Sequence, residues 1–414
     1  MRRILLLCGI LTILASAAAL APDWGFFGHR RLNRLAVFTL DYEMMPFFRA
    51  NVEWLTDHAV DPDKRRYATK HEAVRHYIDI DHWGESDDYA FVPRGWTDAL
   101  LWRGELQELL GTDTIHWRVD TIVQADPEFL FDRDSRVLLR NDRGNTVELQ
   151  LGVYRSFWIE KVLPQYYDDE IVVLATHLRD IGFPVTDEGG RVAVIDHLSG
   201  YGILPWHLEQ MHRRITRAFV QEDAAAILRL CAEMGHYVGD AHVPLHTTEN
   251  YNGQLTGQTG IHGFWESRLP ELFADEQYDY FVGKAEYIDN PRDYYWDIVL
   301  SSHALVDSVL TTERRLRRTY PADQQMVFDE RLGRTIRTQS AEFAAAWDRE
   351  MQGMVEERFR AAILSIGSVW YSCWVDAGQP DLSKLVPRPA VYGKTDTLDR
   401  AVQNSAIKGR EHGF

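Results

Sequence analysis

The sequence predicts a mostly α-helical protein, and three observations lead there. Apolar residues recur at three- and four-residue spacing through Leu32–Leu40, Ile215–Gly239, His303–Tyr320 and Ser340–Trp374, each long enough to bury one face as a helix. Strand-like sequence is confined to short pieces, Val137–Arg140 and Thr146–Leu151, which are joined through Asn141–Asn145 and predict one small β-hairpin. The composition, 45% apolar with 28 Gly and 15 Pro in 414 residues, suits a packed core and excludes collagen-like and wholly disordered chains.

Along the chain, Arg2 and Arg3 precede an apolar run from Ile4 to Leu14 and the small residues Ala15 to Ala19. Residues 1–23 are therefore expected to be a secretory signal with a short pro-segment, which makes the mature protein an exported one, periplasmic or secreted. The alternative is an uncleaved anchor, since Ile4–Ala21 approaches the length of a span. Residues 24–380 are expected to form the helical domain. Gly182, Pro184, Gly189, Gly190, Gly200, Gly202 and Pro205 predict a loop or insertion over Asp180–Leu204. The tail 381–414, opened by Pro387 and Pro389, is expected to be disordered. Cys231 and Cys373 permit at most one internal disulfide in the mature chain.

A net charge of −17 leaves no basic footprint for gripping a phosphate backbone, which excludes repressors and packaging proteins. Any chemistry on a nucleic acid would need metal ions to supply the positive charge. The 16 histidines direct attention to metals, yet one His–carboxylate pair at four-residue spacing means little. Chance gives about two such pairs at this composition. Four occur: His116 with Asp120, His236 with Asp240, His262 with Glu266, and His303 with Asp307.

Two of these pairs have a neighbourhood that raises them above chance. His236 and Asp240 share a helical face, Pro244 should break the helix at Val243, and the break lets His246 swing beside the same face. His242 points elsewhere and reads as structural. After a polar loop, His262 and Glu266 stand one helical turn apart and form a second cup. Imidazole with carboxylate, and no thiolate, matches hydrolytic zinc sites better than closed structural ones or calcium sites.

These residues resemble the zinc-dependent phospholipase C and S1/P1 nuclease superfamily. The resemblance rests on Trp24-Gly-Phe-Phe-Gly-His29, Asp61 ahead of His76-Tyr-Ile-Asp79, the His236/Asp240/His246 run and His262/Glu266, in family order. It implies a multi-helical phospholipase C/P1 nuclease-like domain with two or three Zn2+ ions. One zinc would be held by Asp61, His76, His236 and Asp240. A second would be held by the amino group and carbonyl of Trp24 with His29, bridged by Asp240. A third would be held by His246, His262 and Glu266. A metal-bound hydroxide would attack phosphorus, with Asp61 also aligning or deprotonating the water. Tyr77 and Asp79 resemble the family's substrate-binding pair, which stacks on a base and bonds its edge. The other reading of that pair is a core tyrosine and an aspartate that orients a histidine.

Three departures qualify the resemblance. Pro22 and Asp23 would precede Trp24 after a cut at Ala21, so the amino-terminal ligand requires further trimming. The long stretch between His76 and His236 implies a large insertion at about 81–202, carrying the small hairpin. Asp57 stands close enough to Asp61 to be the ligand in its place. Glu266, where the nucleases carry Asp, and the scarcity of cysteines favour phosphodiester hydrolysis of the phospholipase C type, on a phospholipid head group. An S1/P1-type single-strand nuclease and a zinc-binding scaffold are the alternatives, and no stable protein partner is expected.

Overall fold

The computed structural model describes residues 26–84, 89–125, 131–331, 334–385 and 408. The expected signal over 1–23, Trp24 and most of the expected tail lie outside these residues. Helix accounts for 55% and strand for 14%, so the protein is mostly helical. No described helix is long and apolar enough to cross a membrane. The chain divides into two compact units, residues 1–80 with 207–414, and residues 81–206.

Seven described helices run to ten residues or more: α1 (Phe26–Ala36), α2 (Leu204–Val220), α3 (Ala224–Ala241), α4 (Pro291–His303), α5 (Val306–Thr319), α6 (Ala341–Glu350) and α7 (Met354–Asp376). Two expected helices are therefore pairs. The Ile215–Gly239 pattern breaks at Glu222, whose φ is 51°, and Asp223 restarts the chain by accepting from the Ala225 and Ala226 amides. Ser340–Trp374 breaks at Gln352 and Gly353, both at positive φ, whereas the expected His303–Tyr320 helix is α5 alone, His303 being the last residue of α4. Apolar residues are buried on both sides of each break, so the helical period runs through it unmarked.

In the first unit α1, α3 and α7 pack on one another, and the approach of α1 to α3 depends on two glycines. A Cβ on Gly235 would fall 1.8 Å from Asn33 Oδ1, and one on Gly239 would fall 3.1 Å from His29 Nδ1. Asn33 is buried and donates to the carbonyls of Leu55 and Ala232, tying α1 to α3. Cys231 and Cys373 are buried free thiols, so no disulfide joins α3 to α7. An unforeseen hairpin, Met326–Arg331 with Arg334–Gln339, also belongs to this unit.

The second unit carries a six-stranded antiparallel sheet where the sequence predicts a single hairpin. Its strands are β1 (Gly104–Leu110), β2 (Asp113–Val123), β3 (Arg136–Asn141), β4 (Thr146–Gln150), β5 (Ile171–Leu174) and β6 (Arg191–Asp196), in the order β4-β3-β2-β1-β6-β5. The predicted hairpin is β3–β4, with Val137 opposite Leu149 and Leu139 opposite Val147 on the buried face. β6 lies inside the expected loop, its Val192 and Val194 turned inward while Gly189 and Gly190 disguise its start. β1 and β2 escape detection because the central strand buries two carboxylates and β2 is bulged between Val119 and Thr121. Glu108 accepts from Trp117 Nε1 at 2.7 Å. Glu105 accepts from His116 at 2.7 Å, Gln107 at 2.5 Å, Arg118 Nε at 2.5 Å and His197 at 3.1 Å. Burial pushes its carboxyl up, but these four donors outweigh burial and bring it down to about 2. His116 and Asp120 are thus strand residues, not a helical pair.

Candidate metal centre

Eight side chains from four separated segments of the first unit converge as three overlapping groups. These are Asp63, His76 and His236; His29, His236 and Asp240; and His246, His262 and Glu266. Local sequence accounts for their placement. His236 and Asp240 face the same way on α3, which ends at Ala241. Pro244 holds Val243 out of the helical conformation, and the 3-10 turn Pro244–Thr247 brings His246 back to the cluster. Gly260, at φ 95°, starts the turn that carries His262, and the chain continues as a π-helix over Phe264–Arg268 that carries Glu266. The two glycines of α3 admit α1, and the His29 ring stacks on His236 at 3.8 Å.

In the first group His76 Nδ1 lies 3.0 Å from both His236 Nε2 and Asp240 Oδ2, and Asp63 Oδ1 lies 3.7 and 3.6 Å from the two imidazoles. His236 Nε2 and Asp240 Oδ2 are 3.4 Å apart. A tetrahedral zinc with bonds of 2.0–2.1 Å requires donor atoms about 3.3 Å apart. The other oxygen of Asp240 faces His29 Nε2 at 3.4 Å, so this carboxylate reaches two groups. In the third group Glu266 Oε2 lies 2.6 Å from His262 Nε2 and 3.4 Å from His246 Nε2.

Hydrogen bonds on the far side of the rings set their tautomers. His236 Nδ1 donates to the Ala59 carbonyl at 2.9 Å, His246 Nδ1 to the His76 carbonyl at 2.6 Å, and His262 Nδ1 to the Tyr251 carbonyl at 3.3 Å. A ring nitrogen that meets a carbonyl oxygen can only donate, which leaves the Nε2 lone pair of each ring facing the cluster. His76 is turned the other way. Its Nδ1 faces the cluster and its Nε2 faces Glu72 Oε1 at 3.7 Å. Glu72 is fully buried and held by Arg65 at 3.1 Å, Arg75 at 3.0 Å and the Tyr237 hydroxyl.

The charges are those of a cation site. Burial disfavours a charged His29, yet Glu266 and Asp240 outweigh it and raise the ring to about 9. His76 and His246 are raised for the same reason, burial being overcome by carboxylates. Burial pushes Glu266 up, but His246 and His262 hold it well below the usual carboxylate range. Burial dominates at His236, which is lowered well below its ordinary value. The carboxylates thus draw protons onto their neighbours, and a divalent cation supplies the same charge while releasing them. The donor set fits such an ion.

Of the expected ligands, His29, His76, His236, Asp240, His246, His262 and Glu266 come together, and Trp24 lies outside the described residues. Asp61 is corrected. Expected as ligand and catalytic base, it meets His58 Nδ1 at 2.5 Å and Lys64 at 3.7 Å, and Asp63 takes its place beside His76. The two aspartates stand on one helix, Asp61–Arg65, and two residues of helix turn a side chain by about 200°, so only one can face the cluster. Asp57 is not among the converging groups either. Tyr77 and Asp79, expected to bind substrate, are each only 4% exposed, which leaves no open ring face for a base. His242 is structural as expected: it donates to Val238 O and meets Ser365, and burial takes it down to about 3. Sequence reasoning missed Asp63 and Glu72. Glu72 stands four residues before His76, a spacing overlooked when carboxylates are counted only after histidines.

Fold and site together define a mostly helical protein whose buried imidazoles and carboxylates could hold divalent metal. No protein-family model matches the chain, and no curated protein matches its sequence.

Proposed function

We propose that this chain is an exported zinc-dependent phosphodiester hydrolase of the phospholipase C type, a member of the phospholipase C/S1-P1 nuclease superfamily that its sequence resembles. The observation that carries the reading is the convergence of eight His, Asp and Glu side chains with donor atoms at tetrahedral spacing and imidazoles anchored from behind. A structural helical protein has no need of that arrangement. Zinc bound there would lower the pKa of a water and neutralise phosphoryl oxygens, which supplies the positive charge that the acidic chain lacks.

The protein's part is placement. The carbonyls of Ala59, His76 and Tyr251 fix the ring orientations, and Asp240 ties the first group to His29. Glu266 is the most exposed of the eight side chains, at 15%, so a substrate would approach past its carboxylate. Burial of Tyr77 and Asp79 weighs against base stacking by that pair.

The test uses purified mature protein. Zinc is counted by elemental analysis, and activity is measured on phosphatidylcholine vesicles and on single-stranded DNA, with and without chelator. Bound zinc and chelator-sensitive release of the phosphorylated head group are expected. Cleavage of DNA alone would move the assignment to the nuclease, and protein that takes up no zinc would overturn the reading.

A further inference from the structure

Donor counting leaves one metal group short. An imidazole nitrogen can serve one ion, and His236 Nε2 is shared between the group of Asp63 and His76 and the group of His29. With Asp63, His76 and Asp240 Oδ2 it makes four donors, the two imidazole nitrogens lying 3.0–3.7 Å from each other and from both carboxylates. Given to that group, it leaves His29 with Asp240 Oδ1 alone. The resemblance would fill the gap with the amino group and carbonyl of Trp24, which Pro22 and Asp23 precede in the chain.

A third donor stands closer at hand. Glu266 Oε1 lies 3.6 Å from His29 Nε2, while its other oxygen, Oε2, lies 2.6 Å from His262 and 3.4 Å from His246. The separation from His29 is close to that of Asp240 Oδ1, 3.4 Å, and both are near the edge of a zinc tetrahedron, about 3.3 Å.

We propose that Glu266 is a second bridging carboxylate, with Oε2 serving the ion of His246 and His262 and Oε1 completing the ion of His29, so that the His29 site forms without a free amino terminus at Trp24. This rests on the zinc reading above. Each nitrogen is then used once. The first site has four protein donors, and the other two have three each, the number that leaves a hydrolytic zinc a position for water. Asp240 and Glu266 link the three sites in a row, with His29 in the middle.

Zinc content per chain, by elemental analysis after dialysis in zinc-buffered solution, tests the proposal without reference to turnover. A chain beginning at Pro22 is expected to hold three ions, as is one beginning at Trp24. His29→Ala and His262→Ala should each hold two, and Glu266→Gln one, because it strips a donor from two sites. Two ions in Glu266→Gln, or two in the Pro22 chain against three in the Trp24 chain, would overturn the bridge. If Glu266→Gln does not fold, judged by circular dichroism, Glu266→Asp decides. Its carboxylate, on a side chain one methylene shorter, is drawn back from the His29 ring and should leave the chain with two ions, and three would refute the bridge. No zinc in the unaltered chain would instead remove the zinc reading itself.

Discussion

Replacing Gly235 with alanine should strike both the fold and the metal centre. The new Cβ would lie 1.8 Å from Asn33 Oδ1, where ordinary contact is 3.4 Å or more, so one of the two helices must give by about 1.5 Å. Asn33 cannot swing away cheaply, because it is fully buried and donates to Leu55 O at 3.2 Å and Ala232 O at 3.0 Å. Overpacking costs about 1–3 kcal/mol, and weakening two buried hydrogen bonds adds about 1 kcal/mol each. The better helix propensity of alanine returns about 1 kcal/mol. The net expectation is a loss of about 2–4 kcal/mol, a large share of a stability of about 5–15 kcal/mol. His29 stands one turn before Asn33 on α1, so moving that helix also draws His29 from Asp240 Oδ1. The assay is urea unfolding in the presence of chelator, paired with zinc content of the folded protein. Gly239→Ala is the internal comparison, since its closest contacts are 3.0 and 3.1 Å and ask for a few tenths of an ångström. Stability within about 0.5 kcal/mol of the unaltered chain, with zinc content intact in Gly235→Ala, would refute the close-approach argument.

Five other substitutions test the roles assigned above. Asp63→Ala should lower zinc content, whereas Asp61→Asn should leave it unchanged; the reverse pattern would restore Asp61 as the ligand. Glu72→Gln removes the charge behind His76 and should weaken zinc binding at that site by about 10–100-fold in a competition titration with a chelator, while Arg75→Gln, which spares the Glu72–His76 contact, should cost stability with little change in affinity. Glu105, lowered to about 2 by His116, Gln107, Arg118 and His197, contributes stability that is present above its ordinary range near 4.5 and is lost as pH falls towards 2. The contribution is at most about 3 kcal/mol, and Glu105→Gln should flatten the acid limb of the unfolding profile; a limb of unchanged slope would show that the four donors do not stabilise the charged form.

The sequence by itself determined the helical class, the β3–β4 hairpin and seven of the eight converging side chains. The class, the hairpin and five of those side chains were legible because they rest on short-range rules: the period of apolar residues, a turn with Gly, one helical turn between His236 and Asp240 or His262 and Glu266, and the break that Pro244 imposes before His246; His29 and His76 came only with the family resemblance. Tertiary structure decided the rest. Asp61 and Asp63 differ only in the direction that a five-residue helix presents them, and that direction is set by His58 and Lys64 on one side and His76 on the other. The sheet was hidden because Glu105 and Glu108 on its central strand are satisfied by partners from distant strands and loops, so buried charge masks the alternation. Only the fold shows that both oxygens of Asp240, and both of Glu266, face imidazoles of different segments, since which atoms meet depends on how α1, α3 and the π-helix pack.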